Sequence, residues 1–389
     1  MRTVVHGAAS SHPLAGSSVP PWASEAEVAA AAETLMAAID PKRYVGTKHH
    51  IVPQFILRRF ANNRDQVQVR RRDRAGPLIS NIKDLAVTDF YTFVDMAGEL
   101  DSSFEHLWGV IEGAAAAVLH EHLDNPFSRP RPFTLDEKQA IDALVSLQST
   151  RGPAARRIGE LVADYEVKLL NQHMMSADEL LQWEFSPHQN DHIMAMSGLA
   201  ERIDQELASR HAFLISLDRP LLIISDEPVC LERPDNYAPP TRAQMRDHPR
   251  GVLVDGEQVP ADQLIQFHNP RGAGFRTTEA IAMPISPRHA IVYGPPGSAG
   301  PRPHLQLARK DADHFAREVT QICLEQAIVW VAGHPGHATL ASLRLPPAQP
   351  PIVIIDGGSP FAHDARKSTR RMPRRLNKHA RLEPTSPPR

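Results

Sequence analysis

Two histidines stand side by side in Lys48–Phe60, KHHIVPQFILRRF. Imidazole titrates near neutral pH and ligates transition metals, so an adjacent pair such as His49 and His50 can divide the work of ligand and general base. A second candidate is Ser225-Asp226-Glu227-Pro228, which closes the apolar run Leu221–Ile224. Carboxylates at a strand end ahead of a proline turn are placed for a metal or a substrate hydroxyl. The competing reading, in which Asp226 caps the turn through its own backbone, is the more common use of such a residue and is preferred. Arg58, Arg59 and Arg71, with Arg70, Arg72 and Arg74 beside them, form a basic cluster close to the histidines that could cradle phosphates. A solvated strand end explains the same cluster more simply.

Two weaker constellations complete the set. Ser286 and His289 in Met283–His289 pair a hydroxyl with an imidazole, but no G-x-S-x-G elbow surrounds the serine, and a structured turn accounts for both. His334 and His337 have a metal-like interval, yet they sit among Gly and Pro with no Cys or carboxylate nearby.

The string HHIVP resembles the opening strand of histidine-metal finger (HNH-type) nucleases. That resemblance implies His49 as ligand and His50 as the base that activates water; a further ligand to a divalent metal would have to come from elsewhere in the chain, and Asp226 at the strand end is the candidate for it. The likeness stops at Pro53. The finger of those enzymes continues through a Gly-containing loop to a helix bearing Asn and His, whereas this chain passes directly into FILRRF and offers no further histidine until His106.

These residues must be positioned by elements legible in the pattern. Pro53 to Ala61 reads as a short amphipathic helix, Val67 to Arg71 as a strand, and Phe90 to Val94 as another. A helical middle follows, with capping-box pairs at Ser102/Glu105, Thr134/Glu137 and Ser176/Glu179. Gly152-Pro153 breaks or kinks the helix after the second of these. Strands resume at Ala212–Leu217 and Leu221–Ile224, with a hairpin at Gly251–Val259 and strands near Ala280–Ile285 and Ala290–Tyr293. Asp311 to Val331 reads as a final helix and Val353–Ile355 as a last strand. Regular βαβ alternation and a Gly-rich phosphate loop are both missing. The expected fold is therefore α+β, a helical middle with a mostly antiparallel sheet built from early and later strands.

Composition bounds the function classes. The chain has 389 residues, 42% hydrophobic and 23% charged, and its 35 prolines exceed the usual share of roughly 5%. A formal net charge of −2 gives no whole-protein field that favours nucleic acid or an anionic membrane. Two cysteines do not make a disulfide framework. With no apolar run near the ~20 residues of a span and no signal-peptide core, the expectation is a cytoplasmic protein without membrane contact. Residues 1–43 read as a flexible extension containing a helix, 44–355 as a single folded unit, and 356–389 as a disordered basic tail.

KHHIVPQFILRRF, LLIISDEPV and AMPISPRHAIVYGP, in that order, resemble the uncharacterised, largely bacterial family known as domain of unknown function 4238, whose members open with HHxVPxxYLRxF. The resemblance spans roughly Lys48 to Val331 and implies one family unit without an assigned activity. Two functional readings follow. In the first and preferred one, the protein is a non-catalytic binding or regulatory domain in which HHIVP is structural. In the second it is a metal-dependent hydrolase, with nucleic acid engaged by the arginine cluster and the basic tail.

Overall fold

The computed structural model of the chain describes residues 49–85, 87–88, 93–94, 100–101, 103–127, 129–187, 189–232, 252–254, 257–259, 266–268, 274–337, 340–347, 353–355, 361 and 374–377. The N-terminal extension, most of the C-terminal tail and Ser102 of the first capping pair lie outside these residues.

Seven helices are present among the described residues: α1 (Gln54–Phe60), α2 (Ser103–Leu123), α3 (Leu135–Arg151), α4 (Pro153–Asn171), α5 (Ala177–Leu180), α6 (Gln189–Ala208) and α7 (Arg309–Gln326). The Thr134/Glu137 and Ser176/Glu179 pairs both form complete capping boxes. Pro153 starts α4 at a position where a missing N–H costs nothing, so the expected break at Gly152-Pro153 separates two full helices.

Two sheets carry the body. One joins β3 (Pro77–Asn81), β2 (Gln66–Arg71), β17 (Trp330–Gly333) and β9 (Ile224–Ser225) in that order, antiparallel throughout. The other joins β10 (Cys230–Leu231), β14 (Ile281–Ser286), β15 (His289–Tyr293), β8 (Ala212–Leu217) and β16 (Leu305–Leu307), with only the β8–β16 pair parallel. The α+β class with mostly antiparallel strands drawn from both ends of the chain is therefore observed. His49 and His50 form a two-residue bridge, β1, paired with Val87–Thr88.

The five-stranded sheet is covered on both faces. Leu214, Met283 and Ile291 face a core shared with α1, α3 and α6. Their strand neighbours Phe213, Ala282 and Val292 face Ala312, Ala316 and Val319 of α7. Alternate residues along a strand point to opposite faces, so a sheet covered twice must be apolar at nearly every position, which is why AFLISL and IAMPIS read as continuous runs. Pro284 sits at a register shift in β14, where its missing N–H is tolerated.

The last helix is shorter than its pattern suggests. It ends at Gln326, and Trp330–Gly333 becomes a strand instead. The carboxylate of Asp226 takes the N–H groups of Ile328, Val329 and Trp330, and the β-branched and aromatic run then pairs with β2.

Candidate functional site

The signature motifs meet at the break between α3 and α4. Arg151, the last residue of α3, has a side chain only 1% exposed. Its Nη2 donates to the main-chain oxygen of His50 at 2.6 Å, its Nη1 pairs with Glu112 of α2, and its guanidinium lies 5.0 Å over the Trp108 ring. One residue on, Gly152 faces Glu227. A Cβ at Gly152 would stand 2.4 Å from Glu227 Oε1, and that oxygen accepts the Ala154 N–H at 2.6 Å. The Glu227 carboxylate thus caps the start of α4, where a negative charge is stabilised by the exposed N–H groups. HHIVP and SDEP, far apart in sequence, are tied to residues only three positions apart on one helical joint.

Each candidate residue is bonded in a definite way. Asp226 Oδ1 accepts the Ile328 N–H at 3.0 Å, and Oδ2 accepts those of Val329 at 2.5 Å and Trp330 at 3.4 Å. Ser225 Oγ donates to the Glu227 oxygen and accepts the Glu227 N–H. The His50 ring is half-buried, with Nε2 3.1 Å from the Gln54 amide nitrogen. His49 is placed by its backbone pairing with Thr88.

The arginines do not converge. Arg58 lies 3.7 Å from Asp65, Arg59 makes a two-pronged contact with Asp124 at 3.0 and 2.5 Å, and Arg71 makes another with Asp73 at 2.9 Å. Arg72 donates to the carbonyls of Leu324 and Ala327 at the end of α7, where a cation complements the helix dipole.

The two weaker constellations are turns. Ser286 Oγ lies 2.8 Å from His289 Nδ1 and accepts the Arg288 N–H, closing the β14–β15 connection. His334 Nδ1 accepts the Gly336 N–H, and His337 Nε2 donates to the Leu221 oxygen. Among the described residues, no group of three or more His, Cys, Asp or Glu side chains is arranged to hold a metal. No described helix is long and apolar enough to cross a membrane.

The far side of Trp108 opens on a cleft of about 240 Å³ between α2, α3 and α6. Its walls are apolar, with Leu107, Trp108, Ile111, Leu147 and Met196, and the acidic pair Glu201 and Asp204 lines it as well. The hydroxyls of Ser146, Thr150 and Ser197 return to carbonyls of their own helices. Asp204 Oδ1 is buried and has no hydrogen-bond partner among the described residues. Burial raises the Asp204 carboxyl above its ordinary range; Lys138 opposes the shift and Glu201 adds to it.

Sequence reasoning did not single out Trp108, Arg151 or Asp204. The available signal was a run of polar residues, Asp142, Ser146 and Thr150, recurring each turn on a helix whose neighbours are buried.

A family model described as "Protein of unknown function (DUF4238)" matches residues 48–337, beginning at the first residue of KHHIVPQ. No curated protein matches the chain, and no solved structure does.

Proposed function

We propose that the chain, which belongs to the DUF4238 family, is a non-catalytic binding or regulatory domain. Its ligand is a small apolar molecule bearing one cationic group, held in the cleft between α2, α3 and α6. The observation that carries this reading is the unpartnered Oδ1 of Asp204 in a cleft walled by Trp108, Leu147 and Met196. A cationic group at Asp204 would relieve the desolvation that raises its carboxyl, while the apolar body fills space that water occupies poorly.

Further support comes from the joint itself. Both oxygens of Asp226 are engaged by backbone N–H groups, and Glu227 caps α4, so these carboxylates act as structural ties. Residues from α1 through β17 contribute to one continuous core, which supports residues 44–355 as a single unit. The same reading keeps the protein in the cytoplasm.

The test uses calorimetry on the purified full-length protein with arylalkylamines and their carboxylate analogues. The amines are expected to bind, and Asp204→Asn to weaken them about tenfold or more, the scale of a charged hydrogen bond. Equal binding of amines and carboxylates would overturn the reading. So would tightly bound divalent metal together with cleavage of DNA or RNA that His50→Ala abolishes, which would favour the metal-dependent hydrolase.

A further inference from the structure

Between β15 and β16 the chain runs as a strap, Gly294 to His304, over the edge formed by α2, α3 and β8. From Pro295 to His304 every residue is exposed except Ser298 and His304, which are half-buried. Those two are where the strap is fastened, and both fastenings use imidazole. At one, His211 Nδ1 lies 2.9 Å from the Ser298 oxygen and its Nε2 lies 2.8 Å from Arg302 Nη1. At the other, His304 Nδ1 accepts the Leu214 N–H at 3.0 Å, and its Nε2 lies 3.0 Å from His122 Nδ1.

The proton positions follow from the partners. A guanidinium only donates, so His211 Nε2 is bare and its single proton is on Nδ1, facing the Ser298 oxygen. A backbone N–H only donates, so His304 Nδ1 is bare and its proton is on Nε2. His122 Nδ1 must then accept, which leaves its proton on Nε2, 3.3 Å from Glu137 Oε2. The partners thus select one tautomer for each ring. A second proton on His211 would face Arg302, on His304 would face the Leu214 N–H, and on His122 would face the N–H of His304.

We propose that the strap Gly294–His304 is a pH-operated latch, closed while His304 accepts the Leu214 N–H as a neutral ring and released when that ring takes up a second proton.

The surrounding charges favour this operation. Arg131 donates to both Glu137 oxygens and holds that carboxyl below the usual range, so Glu137 stays anionic through mild acid beside His122 Nε2. Burial, with the charges of His122 and Arg131, lowers His304 to about 4 from the ordinary 6.5. Arg302 stands 4.6 Å over the Phe213 ring, and Arg210, beside His211 in sequence, holds the Gly294 oxygen at 2.6 Å. Two glycines of the strap are in the left-handed region: Gly297, at φ 74°, just ahead of the Ser298 fastening, and Gly300, at φ 133°, between the two fastenings. Release would uncover Phe213.

Sign and size follow from His304. The closed state is favoured fully above pH 6.5, and each unit below that multiplies the open fraction about tenfold until the pH approaches 4. Hydrogen exchange on the full chain, corrected for intrinsic chemistry, reads this at the Leu214 amide and at the amides of β16. Between pH 7.5 and 5.0 their protection should fall about 30-fold, while α7 amides keep theirs. His304→Asn keeps an acceptor for the Leu214 N–H but cannot be charged, and should flatten the dependence. Gly294→Ala places a Cβ 2.2 Å from His211 Nε2 and should release the strap already at pH 7.5. The proposal is overturned by unchanged protection down to pH 5.0, or by an equal loss in α7. It is also overturned, without any variant, if the wild-type His304 ring titrates at its ordinary value by NMR.

Discussion

Arg151 Nη2 and the main-chain oxygen of His50, 101 residues apart in sequence, meet at 2.6 Å in a site nearly closed to solvent. The contact gives the histidine motif a mechanical role through its backbone, independent of what the rings do. Glu112 balances the Arg151 charge, and the Trp108 face supports it. Removing one partner of a buried pair strands the other, so Arg151→Met should cost about 3 kcal/mol. Arg151→Lys should recover little, because a single ammonium cannot reproduce the forked donors. Urea denaturation of the two variants checks this; a loss below about 1 kcal/mol for Met would mean that the joint does not depend on the pair.

Gly152 adopts φ −68° and ψ 159°, a conformation open to any residue. Its requirement for glycine is therefore steric and comes from the Glu227 carboxylate. Gly152→Ala should cost about 2 kcal/mol by overpacking. Glu227→Ala leaves the Ala154 N–H unsatisfied and should cost about 1–2 kcal/mol by itself. In the double variant the collision is gone, so the combined loss should fall short of the sum by about 1 kcal/mol. Strict additivity in a denaturation cycle would place the two groups farther apart than the structure does.

Much of this architecture was legible in the sequence, and its failures have physical causes. Thr134 and Ser176 announced their helices because a cap is a local device complete within four residues. Gly152-Pro153 announced the break for the same reason. The end of α7 was missed because it is decided by Asp226, about 100 residues away, which draws three N–H groups out of helical pairing. Trp108 and Arg151 were missed because nothing local separates a residue that lines or supports a cleft from one that fills a core. The paired arginines looked like a phosphate cradle only while their carboxylate partners, Asp65, Asp124 and Asp73, could not be placed.

Asp226 separates the two functional readings through stability. Asp226→Asn keeps one acceptor oxygen but turns an amide N–H toward the main-chain N–H groups that Oδ2 now serves. The expected loss is about 3 kcal/mol, from unsatisfied buried donors beside a lost charged acceptor. Metal content, measured on the same preparations by elemental analysis, should not differ between wild type and variant. Loss of a stoichiometric metal with little change in stability would reverse the assignment.

Asp142 gives stability an unusual pH dependence. Its carboxyl accepts from the Tyr293 hydroxyl at 2.8 Å and pairs with Lys138, yet burial still raises it to about 6 from the ordinary 3.8. A group raised on folding supports the native state fully below its unfolded value and withdraws that support as pH rises through the folded value. Asp142 therefore costs stability above pH 6, on the order of 2–3 kcal/mol. His192 acts in the opposite sense over part of the same range. Burial lowers it to about 4 from 6.5, so its support is complete above 6.5 and fades as pH falls toward 4. The Asp142→Asn variant isolates the first effect, since asparagine keeps an acceptor for Tyr293 and cannot ionise. Measured against wild type by urea denaturation, the variant should gain roughly 2–3 kcal/mol of relative stability between pH 4 and pH 7. A difference that stays flat across that interval would mean the Asp142 carboxyl ionises at its ordinary value, with Lys138 and Tyr293 fully offsetting its burial.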